Sequence, residues 1–203
     1  MLLNGPPPFE APLLNGGVVN LAMLRGKDAA PDLVRLVEDP SDEVADEAAL
    51  ALARFRDPAA VQRLIAMLDK ERSVQRARQG LESISLESFA QRDPAMVADF
   101  YKGWWDLSKE RGPKRWLLDA LALDGAEDPN LRAWAEGKAA REAVPALVAA
   151  LHNERWYVRR AADLALRDLM GRSVGDQDPW TTPGDVTRMA EAWEKICAAS
   201  LSK

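Results

Sequence analysis

The chain has one histidine, His152, and one cysteine, Cys197, and these are its most reactive side chains. A nucleophilic thiol needs a base within hydrogen-bond reach and a turn that presents it. Cys197 instead lies in the Ala-rich stretch from Trp193 to Ala199 with no glycine-flanked turn, and reads as a small buried apolar side chain. A single histidine removes any two-histidine metal site. In the turn Leu151-His152-Asn153-Glu154 it reads as a solvated residue. Asp124, Glu127 and Asp128 bring three carboxylates together without the alternating spacing of a calcium loop, so helix capping and loop solvation account for them. No glycine-rich phosphate cradle occurs anywhere. The expectation is an absence of catalytic residues, metal and cofactor.

Two other residue classes have the chemistry of recognition. All seven tryptophans, Trp104, Trp105, Trp116, Trp134, Trp156, Trp180 and Trp193, fall in the second half of the 203-residue chain. Indoles in such number either fill gaps between packed helices or form an aromatic binding surface. Core packing is the simpler expectation, with Trp156 the exception because of its place in the turn-like Glu154-Arg155-Trp156-Tyr157. Cations also recur late in the chain, at Arg78, Lys114, Arg115, Arg159, Arg160 and Arg167. The formal net charge is nevertheless -5 and the isoelectric point about 5.1, which supplies no overall basic field for nucleic acid.

Composition narrows what positions these groups. Two tyrosines, four phenylalanines and few β-branched runs leave little material for a sheet, whereas alanine, leucine, arginine and glutamate dominate. The start, MLLNGPPPFEAPLL, lacks a basic region, and its apolar residues are broken by Pro6, Pro7 and Pro8, so it does not read as a signal peptide. With a lone cysteine, the expected location is the cytoplasm.

The helices announce themselves by punctuation. Asp57-Pro58, Asp93-Pro94 and Asp128-Pro129 each precede a segment of helical apolar spacing, and Asp28, three residues before Pro31, is a looser copy. Aspartate accepts hydrogen bonds from free amides at a helix start, and proline fits the first turn. The successive intervals from Asp28 to Asp57, Asp93 and Asp128 are 29, 36 and 35 residues, the length of one helix-turn-helix unit. Pro31, Leu33, Val34 and Val37 recur in the same spacing as Pro145, Leu147, Val148 and Leu151, while Leu64, Ile65 and Leu68 fit the frame without the proline. These mark first helices.

Second helices repeat as well. Val44, Ala48, Ala51, Leu52 and Phe55 have offsets 0, 4, 7, 8 and 11, and so do Val158, Ala162, Ala165, Leu166 and Leu169. Ser73, Ala77, Gly80, Leu81 and Ile84 keep the offsets, with serine and glycine where an apolar residue and alanine are expected. Another hairpin is expected between Asp93 and Asp124, with Trp104 and Leu107 inward on its first helix and Leu117, Ala120 and Leu121 on its second. A short helix is expected in the connection from Asp124 to Gly137. Thr182, Pro183 and Asp185 have the order of a capping box for a last helix.

The stretches Ala29 to Phe55 and Ala143 to Leu169 resemble the HEAT family, in particular its short bacterial phycobilisome-lyase-like repeats. The resemblance implies an all-α solenoid of about four hairpins, near residues 26–55, 57–89, 93–124 and 128–171, behind an extended arm at 1–17 and closed by a capping helix at 182–201. Val18 to Arg25 reads as the remnant second helix of a preceding repeat. The iron-dependent hydroxylases of this family carry repeated His-Glu pairs that have no counterpart here.

In a HEAT stack the second helices line the inner face. Offsets 1 and 2 are then expected to display Ala45 and Asp46, Val74 and Gln75, Lys114 and Arg115, and Arg159 and Arg160, with Glu43 and Glu47 reinforcing an acidic start and Arg78 and Arg167 a basic end. The expected function is a non-catalytic scaffold that binds a protein partner through this groove. An acidic segment would meet Arg78, Lys114, Arg115, Trp156, Arg159, Arg160 and Arg167. The alternatives are a phycobilin-lyase-like or chaperone-like role and, less favoured by the charge, nucleic-acid binding. A solvated charged face or structural ion pairs to Glu154 or Asp163 would explain the same arginines without any partner.

Overall fold

The computed structural model describes residues 17–87, 94–122, 128–138, 141–174 and 183–201. Asp93, Asp124 to Glu127, Trp180, Thr182 and the arm up to residue 16 lie outside them. Every element among the described residues is helical, and the chain divides into two compact units at the Pro113–Lys114 bond.

In the first unit, α1 (Gly17–Arg25) is followed by the hairpins α2 (Ala30–Leu36) with α3 (Asp42–Arg54) and α4 (Val61–Met67) with α5 (Val74–Ser85), and then by α6 (Pro94–Ser108). Pro31 occupies the first turn of α2, as expected for a residue whose missing N–H is not needed there. Asp57 accepts from the amide of Ala59 and so opens the turn leading into α4. Asp28 differs: it lies in a 3-10 turn and no side chain caps α2.

The second helices stack side by side. α1 packs against α3, and α3 packs against α5, which is the position expected of a remnant second helix. Ala48 and Ala77, at offset 4, are fully buried where these helices approach. Gly80 explains itself in the same way. A Cβ added there would lie 3.2 Å from the Cβ of Ala53 and 3.2 Å from a methyl of Leu64, so the alanine of the matching repeats would fit only if these neighbours gave way slightly. Leu86 then ends α5 with a φ of 62°, a left-handed position unusual for leucine.

In the second unit, α7 (Pro113–Ala122), α8 (Pro129–Ala135), α9 (Val144–Ala150), α10 (Trp156–Met170) and α11 (Pro183–Leu201) follow one another. The short helix expected in the connection is α8, whose start is capped by Asp128 accepting from the amides of Asn130 and Leu131. α9 pairs with α10 and also meets α11. Val158, Ala162, Ala165 and Leu166 form the buried stripe of α10, and Gly171, with a φ of 59°, stops it.

Three expectations of burial change. Leu107 is 78% exposed on α6 rather than inward, and Trp104 beside it is half-buried. On α7 Leu117 and Ala120 are buried as expected, but Leu121 only partly. Ala45 is fully buried instead of displayed, because α3 is covered on two sides, by its own hairpin partner and by the next second helix. At about 100° per residue, offsets 1 and 5 continue the apolar arc begun by offsets 0, 4 and 8. Ala49, at offset 5, is accordingly fully buried too.

Candidate functional site

The same widened arc decides what α10 presents. Its offset-1 and offset-5 residues are Arg159 and Asp163, and both are buried. Asp163 is fully enclosed. It accepts from Trp193 Nε1 on α11 at 2.8 Å and from Arg167 Nε at 3.0 and 3.1 Å, while Arg160 Nη1 stands 3.5 Å away. Arg167 also donates to Ser173 Oγ at 2.7 Å. Buried carboxylates need partners of this kind, since an unpaired charge out of water is very costly.

Arg159 corrects a central expectation. Only 2% of it is exposed, so it does not leave the helix clear of the core. Its Nη1 donates to the backbone carbonyls of Asn153 at 2.7 Å and Glu154 at 2.8 Å, which ties the α9–α10 turn to the helix. Nε and Nη2 have no hydrogen-bond partner among the described residues, and burial pulls the guanidinium pKa down.

The other expected cations have intramolecular roles. Lys114 pairs with Asp168 at 2.9 Å and lies 5.7 Å above the ring of the buried Trp134. Arg115 meets Asp119 at 3.2 Å, one helical turn away. Trp156 is the first residue of α10, half-buried and edge-on to Tyr157 with ring centroids 6.0 Å apart. Arg78 belongs to α5 in the other unit, where its charge acts on the buried Tyr101. Tyr101 donates to the Glu87 carbonyl, and burial pushes its phenol far above the ordinary range. His152 keeps its exposed turn position, with Nε2 2.8 Å from Glu194 Oε1 on α11.

The acidic start of the expected groove is likewise neutralised from within. Arg63 reaches Asp42 at 2.7 Å and Asp46 at 2.6 Å, and Lys70 adds 3.2 and 3.0 Å contacts to the same pair. Glu47 accepts both arms of Arg76, at 2.7 and 2.9 Å, the bidentate geometry that fixes orientation as well as charge. Hydrogen bonds from Arg63 and then Lys70 hold the Asp42 carboxyl below its usual range. Asp42, Asp46 and Glu47 therefore staple α3 to the following hairpin, while Glu43 stays exposed.

The first unit thus consists of antiparallel helix pairs in register, with small residues at the contacts and ion pairs between successive repeats. Residues 18–83 match the family described as HEAT repeats. That segment of the chain is similar to HEAT repeats. The match begins at α1 and runs through α5, so it includes the degenerate repeat with Ser73 and Gly80. No curated protein and no solved structure matches the chain.

Beyond the HEAT match, α9 and α10 keep the same offsets, and α11 completes their packing through Trp193, Ala190 and the buried Cys197. Burial raises the Cys197 thiol pKa, consistent with the inert packing role read from its sequence context. Among the described residues, no group of three or more histidine, cysteine, aspartate or glutamate side chains is arranged to hold a metal ion. No helix there is long and apolar enough to cross a membrane. Asp163 and its indole partner were not singled out as a buried pair in the sequence. The available signal was an acidic residue at offset 5, where the first repeat has Ala49.

Proposed function

We propose that this HEAT-repeat chain is a non-catalytic scaffold of the cytoplasm that binds a protein partner. HEAT repeats generally serve protein–protein interaction, and the second unit offers the partner an acidic-segment site on α10. One observation carries the site: two guanidinium groups, Arg160 and Arg167, share the single buried carboxylate of Asp163. Both side chains remain partly exposed, at 19% and 25%, while Asp163 holds them in place. A partner carboxylate would meet a charge already held in place by Asp163, which reduces the ordering cost of binding. Trp156 and Lys114 add apolar and cationic surface in the same unit. Arg159 is excluded from the site because of its burial.

The test is retention of the native partner by full-length chain carrying Arg160→Gln, followed through a salt titration. The expected result is weaker retention at unchanged helical content, and retention by the unmodified chain that falls as salt rises. Full retention by the folded variant would reject the site. A lowered melting temperature with unaltered retention would assign Arg160 to structure alone.

A further inference from the structure

The glycines of α5 and α6 differ in what surrounds them. At Gly80 the stack is tight, with Ala53 and Leu64 only 3.2 Å from where a Cβ would be. Gly103, in the middle of α6, has nothing within 4 Å of where its Cβ would be. Glycine inside a helix is destabilising relative to alanine. The chain's own packing offers no return for it at this position.

The residues around Gly103 supply a reason. At about 100° per residue, Met96, Phe100, Gly103 and Leu107 fall within one arc of roughly 60°. Met96 is 52% exposed and Leu107 78%, the opposite of what an apolar helical stripe does when it belongs to a core. The inward side of α6 is a different set, Val97, Tyr101 and Ser108, and α6 packs through it against α4. Asp99 and Asp106 line the outer edge of the exposed stripe, with Glu110 in the turn just beyond. Lys102 and Lys109 pair with the two aspartates at 3.6 and 3.3 Å from the far side, in exposed i,i+3 contacts that solvent weakens.

We infer that α6 is a second docking surface, separate from α10, and that it receives an amphipathic helix whose apolar stripe is flanked by lysine or arginine. The flat spot at Gly103 lets the two backbones approach closely, Met96 and Leu107 bury their side chains on either side of it, and the acidic edge pairs with the basic flank. A second copy of this chain fits less well. Two such faces packed antiparallel set acidic edge against acidic edge.

The experiment uses the full-length chain and two synthetic 18-residue helical peptides with the same leucine stripe, one flanked by lysine and the other by glutamate. Binding is measured by titration calorimetry, and oligomeric state by sedimentation. The lysine peptide is expected to bind at least tenfold tighter than the glutamate peptide and to weaken with salt. Gly103→Leu is expected to raise its Kd at least tenfold with no drop in melting temperature. Arg160→Gln is expected to leave it unchanged, so failure of the α10 site and failure of this one are distinguishable. Leu107→Asp provides a second variant at a position too exposed to matter for folding. Equal affinity for the two peptides, no detectable binding, or unaltered binding by both α6 variants overturns the inference. So does a dimer that Gly103→Leu dissociates, which would make the occupant a second copy.

Discussion

The indole Nε1 of Trp193 lies 2.8 Å from the carboxylate of Asp163, and this buried hydrogen bond joins helices 30 residues apart. It anchors α11 to α10, while Arg160 and Arg167 hold the same carboxylate from its own helix. Asp163→Leu removes the buried acceptor of the indole N–H and the carboxylate that Arg160 and Arg167 share, and is expected to cost about 3–5 kcal/mol. Trp193→Phe, which removes the donor together with part of the buried ring volume, is expected to cost about 1–3 kcal/mol. Urea denaturation of the full chain checks both. Equal, small effects would show that Asp163 is not the common acceptor of the three groups.

Close helix approach makes a second pair of substitutions informative. Ala162→Leu adds volume at a fully buried contact and is expected to destabilise by about 1–3 kcal/mol. In Gly80→Ala the tight contacts with Ala53 and Leu64 oppose the roughly 0.5–1 kcal/mol that alanine gains over glycine inside a helix, and a net loss is expected. Thermal melts of the two variants provide the comparison. A neutral Gly80→Ala would mean that Ala53 and Leu64 give way readily.

Much of this packing was legible in the sequence, because alanine at offset 4 of each second helix has one reading, and Ala48, Ala77 and Ala162 are all fully buried. The start of α8 was legible too, since Asp128-Pro129 carries its own physical explanation. Arg159 was misread for a definable reason. The repeated apolar offsets trace one stripe, but a second helix between two neighbours is buried over a wider arc, and in α10 the added positions hold Arg159 and Asp163 rather than alanines. Their mutual environment depends on α11, far away in sequence. Leu107 was misread in the converse direction, since hydrophobic type alone cannot say which of two faces of α6 meets α4.

Arg159 offers a direct test of that correction. Replacing a buried, half-satisfied guanidinium with an apolar side chain of similar length is often neutral or stabilising. Arg159→Met is expected to have a stability within about 1 kcal/mol of the unmodified chain or above it, whereas Arg159→Glu is expected to prevent folding of the second unit. The urea midpoint and circular dichroism report on each. A large loss on Arg159→Met would assign the guanidinium bonds to Asn153 and Glu154 a dominant role in the turn.

The Asp42–Arg63–Lys70 cluster sets a pH dependence with a definite sign. Asp42 has a folded-state pKa below its unfolded value, so its contribution is present above roughly pH 4 and is lost as pH falls through the folded value. Lys70 is raised, chiefly by its hydrogen bond to Asp46, so its contribution is present below roughly pH 10 and is lost as pH rises through the folded value. Melting temperature measured against pH is expected to show a plateau between these limits, and Asp42→Asn is expected to reduce the acid-side fall. An unchanged acid limb in that variant would place the titrating group elsewhere.

The buried face of α3 has a further consequence for how the first unit orders itself. Of its seven buried residues, Ala45, Ala48, Ala49, Leu50, Ala51, Leu52 and Ala53, five are alanine. Alanine has no rotamers to surrender on burial, whereas a methionine or glutamine loses up to about 1.5–2 kcal/mol of side-chain freedom. The central helix of the stack therefore assembles almost entirely at the expense of backbone entropy. Its contacts are short and its side chains have no alternative arrangements in which to repack. On heating, such a helix is expected to separate from its neighbours as a unit, so that its amides exchange with solvent as one cooperative group.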